Sequence, residues 1–143
     1  MFLSKIAKVV LLTVFIVTAS TQAYARSNEA KTFDWGPLMD AIMQVESEGD
    51  SRAVSGKSCG AMQITPILVE DCNAILKQRG QKKRYTLNDR FNIKKSREMF
   101  VLIMSHYNPM NDIERAIRLW NGGVKYTLKG TQHYYNKVMK LYK

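Results

Sequence analysis

The chain has 143 residues and carries 22 Lys and Arg against 12 Asp and Glu, a formal net charge of +10 at pH 7. That length provides one compact domain with a single core, and the charge suits an anionic partner. Two Cys and two His, the latter at distant positions 106 and 133, offer no recognisable metal-ligand spacing, and no cofactor motif is present.

Residues 1–25 read as a secretory signal peptide. Lys5 and Lys8 precede an apolar run from Val9 to Ala19, and Ala23-Tyr24-Ala25 supplies an A-x-A cleavage site. The run is shorter than the roughly 20 residues of a membrane-spanning helix, which makes an uncleaved anchor the alternative. Cleavage after Ala25 leaves residues 26–143 as one domain, expected as a monomer in the periplasm or cell envelope with no transmembrane segment. Loss of Lys5 and Lys8 lowers Lys and Arg to 20 against the same 12 acids, so the exported part carries +8. Outside the cytoplasm the abundant polyanion is cell wall or lipid, which argues against nucleic acid. Cys59 and Cys72 both fall in the exported part, and an even count in an oxidising compartment predicts a disulfide between them. Free buried thiols are the alternative.

Residues 26–33 show no periodicity. Asp34 to Pro37 then predicts a helix start, with Leu38, Ala41, Ile42 and Val45 at i, i+3, i+4 and i+7. Glu46 follows on that face at the helix C-terminal end, where the helix dipole and apolar neighbours both disfavour a charged carboxylate. From Glu48 to Cys59 the residues are Gly, Ser and charges without a period, which predicts a loop. Thr65-Pro66 opens a second helix by the cap-then-Pro rule, with Ile67, Leu68, Ile75 and Leu76 as its apolar side and an end near Gly80. Gln81 to Arg84, QKKR, reads as a solvated basic turn. Asn88 or Asp89 is expected to cap a third helix whose stripe of Ile93, Met99, Phe100, Ile103, Met104 and Tyr107 makes it the central core helix, stopped by Asn108-Pro109. Asn111-x-x-Glu114 is close to a capping box for a fourth helix carrying Ile113, Ala116, Ile117 and Trp120. A last helix presents Tyr134, Val138 and Leu141 or Tyr142. No repeat, low-complexity segment or strand run appears, so the fold class is all-α.

Between Ile42 and Pro66 the chain gathers its most specific pattern: Glu46-Ser47, a polar loop with Ala53-x-Ser55, then Gly60-Ala61-Met62-Gln63. This resembles the signature of the soluble lytic transglycosylases, the peptidoglycan-cleaving branch of the goose-type lysozyme superfamily, whose usual form is Glu-Ser, Ala-x-Ser, Gly-Leu-Met-Gln. Three weaker matches follow. Asn92-Ile93-x-x-Ser96 resembles the family's Asn-Ile-x-x-Gly, Leu119-Trp120-Asn121-Gly122-Gly123 its Ala-Tyr-Asn-Ala-Gly, and Thr131-x-x-Tyr134-x-x-Lys137-Val138 its C-terminal motif. The chain departs from the pattern in a loop one residue shorter before Gly60, and at Ala61, Ser96, Trp120 and Gly130. The resemblance covers residues 35–142 and implies a compact lysozyme-like helical domain.

The resemblance also implies a chemistry. Most glycosidases use two carboxylates, but the matched positions supply one, Glu46, which would act first as acid toward the glycosidic oxygen and then as base toward the 6-hydroxyl of N-acetylmuramic acid, giving a 1,6-anhydro product. Ser47 would support Glu46, Met62 and Gln63 would line the cleft beside the acetamido group, Asn121 would bind the glycan, and Tyr134 would orient Glu46. Trp120 would stack on a sugar face. Residue by residue there are plainer alternatives: Met62 and Trp120 as core, Gln63 satisfying backbone, Glu46 as a surface residue. At the level of function the alternatives are a hydrolase on the same fold, with Glu48 or Asp50 positioning water, and a non-catalytic glycan-binding or scaffold domain of an envelope-spanning apparatus. A membrane-active protein would need a strongly basic amphipathic helix, which residues 26–143 lack.

Overall fold

The computed structural model describes residues 32–143, and the expected signal peptide at 1–25 lies outside the described residues. Asp34 to Lys143 form one compact unit. Its first helix, α1 (Gly36–Ser47), starts where expected: Pro37 occupies the first turn, where its missing N–H costs nothing, and the Asp34 carboxylate accepts the Gly36 amide at 2.8 Å. Leu38, Ala41 and Ile42 are buried, joined by Met39 and Met43. The helix stops in a left-handed turn at Glu48, φ 55, whose amide and that of Gly49 close back on the Gln44 and Met43 carbonyls.

The segment expected as loop contains a short antiparallel ladder, β1 (Val54–Ser55) with β2 (Ser58–Cys59), Val54 opposite Cys59. Gly56-Lys57 connects them with Gly56 at φ 58, as a two-residue hairpin turn requires. Two-residue strands have no period to read. The ladder continues as a bridge from Cys59 to Ile64, and the intervening Gly60–Gln63 turn is closed by the Gln63 amide on the Gly60 carbonyl at 3.0 Å.

Thr65 caps α2 (Pro66–Gln78) by accepting the Leu68 amide at 3.3 Å. The inner face of α2 is Val69, Cys72, Ile75 and Leu76, while Ile67 is 75% exposed. Ile67 lies about 200° around the helix from Val69, so only one of the two can face inward. A 3₁₀ turn (Leu87–Phe91) follows, and its capping box joins Thr86 to Asp89. The Asp89 carboxylate is taken up in this box, accepting the Thr86 amide at 2.8 Å, and Asn92 rather than Asn88 or Asp89 caps α3 (Ile93–Tyr107), accepting the Lys95 amide at 3.0 Å. Asp112, not Asn111, caps α4 (Ile113–Gly122); Asn111 instead supplies a left-handed turn at φ 55. Thr127 caps α5 (Leu128–Leu141). The described domain is thus built on five α-helices with one minimal ladder, and the all-α expectation holds.

As expected, α3 supplies the centre of the core through Met99, Phe100, Ile103 and Met104. Phe100 is fully buried, edge-on to Trp35 at 5.6 Å and tilted against Trp120 at 5.0 Å. Helix α5 packs on both α1 and α4. A buried cation organises this corner: the Arg118 guanidinium donates to Glu114, to Thr131 Oγ1, to the Leu128 carbonyl and to Gln132, and lies 4.5 Å from the Tyr135 ring centroid. With so many acceptors its charge is buried without being orphaned. That fixes α5 on α4 and turns Tyr134, rather than Tyr135, toward α1.

The expected Cys59–Cys72 disulfide is absent, and both cysteines are free and buried. Cys72 sits on the inner face of α2 with its thiol 3.8 Å from the Met99 carbonyl of α3, so it serves the core as a small hydrophobic residue. Burial, reinforced by the Asp71 charge, pushes its pKa up to about 12, which keeps it in the unreactive thiol form.

Candidate active site

Glu46 lies one residue before the end of α1, half-buried, and the Tyr134 hydroxyl of α5 donates to its Oε1 at 2.7 Å. Burial raises the Glu46 pKa above the ordinary carboxyl value, and the Tyr134 hydrogen bond pulls it part of the way back. The same burial, with the adjacent Glu46 charge, raises the Tyr134 pKa, so the phenol stays protonated and remains a donor.

Behind Glu46, Ser47 does not bond to the carboxylate. Its hydroxyl donates to the Ala61 carbonyl at 2.8 Å and so ties the end of α1 to the Gly60–Gln63 turn. That turn depends on Gly60. At φ 78, a Cβ there would sit 1.8 Å from the Arg90 carbonyl oxygen. Arg90 in return donates to the Lys57 carbonyl at 3.0 Å and the Ile64 carbonyl at 3.3 Å, so the 3₁₀ turn grips the hairpin from below by backbone and side chain together. Gln63 takes a left-handed φ of 50, and its Nε2 donates to the Gly60 carbonyl at 2.9 Å. With that end of the amide committed to backbone, Oε1 is the end that a ligand donor can use.

These elements enclose a polar cavity of about 350 Å³. Glu46 lines it together with Ser55 and Ser58 of the hairpin, Gln63, Thr65 and Leu68 at the start of α2, and Trp120 and Asn121 at the end of α4. A second cavity of about 300 Å³ shares Thr65, Leu68, Trp120 and Asn121 and runs on past Asp71 and Tyr107, so the cleft extends along α2 beyond Trp120. The Trp120 indole N–H donates to the Met62 carbonyl at 3.3 Å, which fixes the ring plane at the junction of the two cavities.

Of the residues singled out in the sequence, Glu46, Gln63, Trp120 and Asn121 are brought together at this cavity, and Tyr134 reaches it through Glu46. Met62 is not at the cavity wall: its side chain is fully buried in the core, and it meets the site only through its carbonyl. Ser58, Thr65 and Leu68 were not singled out as site residues. Thr65 was legible only as a helix cap, because its place in the cavity depends on how the hairpin folds back. Glu48 and Asp50 lie outside the cavity lining, both exposed, and Asp50 is turned back to accept the Arg52 amide at 2.8 Å. Among the described residues no group of His, Cys, Asp and Glu could hold a metal ion, and no helix is long and apolar enough to cross a membrane.

No curated protein and no solved structure matches the chain. The model of the transglycosylase SLT domain matches residues 23–142, a span that takes in every motif above and the whole of the cavity. The chain therefore belongs to the transglycosylase SLT domain family, and its fold is that of a lytic transglycosylase-type domain acting on peptidoglycan.

Proposed function

We propose that this protein is an exported lytic transglycosylase that cleaves the MurNAc–GlcNAc bond of peptidoglycan without water, with Glu46 as its single acid and base. The observation that carries this reading is a lone carboxylate, half-buried and held by Tyr134, lining a polar cavity in which no second acid among the described residues takes part. A two-carboxylate mechanism needs a partner within about 5 to 9.5 Å across the substrate. Here the wall opposite is Ser, Gln, Asn and Trp.

In the proposed reaction Glu46 enters as the neutral acid, which its burial favours. It donates its proton to the glycosidic oxygen as the bond from that oxygen to C1 of MurNAc breaks, and GlcNAc leaves with a free hydroxyl. Positive charge at C1 is shared by the neighbouring acetamido group of the same sugar. The Glu46 carboxylate then removes the proton of the 6-hydroxyl while O6 bonds to C1, closing the anhydro ring and restoring the acid. Tyr134 keeps the carboxylate aimed at both oxygens. Gln63 Oε1 and Asn121 are the polar contacts for the sugar substituents, and Trp120 is a stacking surface at the junction of the two cavities. Export follows from the Lys5 to Ala25 pattern, and the positive charge of the remaining chain favours the anionic wall.

The test is mass analysis of muropeptides released from purified sacculi by the protein and by Glu46→Gln. Anhydro-muramyl ends are expected from the parent, and release by the variant is expected to fall by at least about a thousandfold, within the range general acid catalysis supplies. Reducing ends from the parent would mean hydrolysis. Binding without release from either protein would mean a glycan-binding domain.

A further inference from the structure

A groove of about 930 Å³ lies between α2 and α3, and it shares no lining residue with the Glu46 cavity or its extension. Its floor is aliphatic. Ile93 and Val101 of α3, each 42% exposed, flank it with Leu102, and buried Leu76 of α2 closes the base. Four cations stand around this floor against one acid, Glu98. Glu98 is already bound by Lys83 at 2.6 Å, and Arg97 is paired with Asp40. Arg79 holds only the Ser105 hydroxyl at 3.1 Å, and Lys94 has no acidic partner among the described residues. The rim therefore has two cations to offer to a ligand.

The spacing of these residues defines the shape of what fits. Ile93, Arg97, Val101 and Ser105 make one i, i+4 row on α3, and Lys94, Glu98 and Leu102 make the next, so the surface presents two parallel ridges with a trough between them. Ridges of this kind pack against the side chains of another helix, and the row from 93 to 105 is about 18 Å long, or three helical turns. A glycan would want hydrogen-bonding groups along the floor, which is aliphatic. An anionic bilayer would meet the same exposed Ile93 and Val101 and the same cations, and it is one outcome of the test below. The chain itself does not supply a complementary occupant: its first 31 residues contain Glu29 as their only acid against Lys5, Lys8, Arg26 and Lys31, and the whole chain is strongly basic.

We infer that this groove docks an acidic amphipathic helix of a partner protein, about three turns long, whose apolar stripe fills the trough between Ile93, Val101 and Leu102 and whose carboxylates face Arg79 and Lys94. Such docking would place the partner on a surface separate from the cleft, so glycan and partner could be held together.

The purified protein can be titrated, by fluorescence anisotropy, with labelled synthetic peptides of about 14 residues. One carries Leu at helical spacing with Glu on the remaining face, a second has the same composition scrambled, and a third has Lys in place of Glu. The first is expected to bind and the scrambled one to fail. Arg79→Glu/Lys94→Glu should weaken the acidic peptide by about tenfold or more, as the loss and reversal of two rim pairs predicts, and should gain affinity for the Lys peptide. Val101→Asp should abolish both, with helical circular dichroism unchanged in each variant. Equal binding of the scrambled peptide, indifference to the substitutions, or no binding at all would overturn the proposal. So would phosphatidylglycerol vesicles whose binding is lost through the same substitutions, since that result would assign the surface to lipid.

Discussion

At Glu46 two influences oppose each other. Removal from water disfavours the carboxylate and raises its pKa, and the Tyr134 hydroxyl, donating at 2.7 Å, favours the carboxylate and lowers it. In the proposed reaction the acid must be neutral at the start, so kcat/KM falls as pH rises through the Glu46 pKa of the free enzyme. Tyr134→Phe removes the lowering influence and leaves the desolvation in place. The alkaline limb of the pH profile is therefore expected to move to higher pH, while the plateau drops by about 10- to 100-fold for the lost charge-assisted hydrogen bond and the aim it gives. An alkaline limb that stayed in place or moved to lower pH would show that Tyr134 does not tune this acid. The pairing was legible before the structure only through the family resemblance, whose C-terminal motif matches Thr131-x-x-Tyr134-x-x-Lys137-Val138 and so singles out Tyr134 over Tyr135. The position of Met62 was not legible: a Met in a cleft motif and a Met in a core look alike in sequence, and only its complete burial in the folded core decides. Ser47, expected to support Glu46, donates to the Ala61 carbonyl and secures the backbone that Glu46 stands against.

Among the elements, the hairpin and the Gly60–Gln63 turn supply Ser55, Ser58 and Gln63 to the cavity wall, and their placement rests on contact with the 3₁₀ turn more than on their own ladder of two pairs. The Gly60 backbone touches the Arg90 carbonyl region, Ser96 Oγ donates to that same carbonyl at 3.1 Å, and the Arg90 side chain reaches Lys57 and Ile64. Gly60→Ala has to displace backbone from backbone as well as hold a left-handed residue, and should destabilise the fold by about 3 kcal/mol or more. Gly56→Ala is the matched control. It has a similar φ of 58 but open space within 4 Å, and should cost only about 1 kcal/mol for the left-handed conformation. Urea unfolding of the two variants measures the difference, and equal losses would mean that the contact with the 3₁₀ turn does not support the hairpin. The same region shows where sequence reading runs out. The Pro37 and Thr65-Pro66 helix starts were legible because Pro fixes φ locally. The caps of α3 and α4 were not, because several Asn and Asp residues stand near each start and tertiary contacts choose among them: the chain forms an extra 3₁₀ turn that takes Asp89, and a left-handed turn that takes Asn111. The free thiols have the same origin. Even cysteine count speaks to compartment, but pairing requires two sulfurs to meet, and here Cys72 is committed to the α2–α3 contact.

For the molecule as a whole, the candidate acid is a cost to the fold. The helical scaffold, with Phe100 wedged between two tryptophans and α5 clamped by Arg118, holds Glu46 where ionisation is disfavoured. The consequence for stability has a definite sign. Below the unfolded carboxyl pKa of about 4.3, Glu46 is neutral in both states and carries no penalty. As pH rises from there through the raised folded value, the unfolded chain ionises more readily than the native one, and native stability is lost relative to a chain without that group. Gln at the same position keeps an acceptor for the Tyr134 hydroxyl and has no charge to desolvate. Glu46→Gln should therefore melt at a higher temperature than the parent at neutral pH, and the gap should close as the pH is lowered toward 4. Every other titrating group is common to both proteins, so the difference between their melting curves isolates Glu46. Thermal melts of the pair from pH 4 to pH 8 measure it directly. A gap that widened on acidification would mean that ionised Glu46 is favoured in the folded state, and the assignment of a neutral starting acid would then fail even if the protein still released muropeptides.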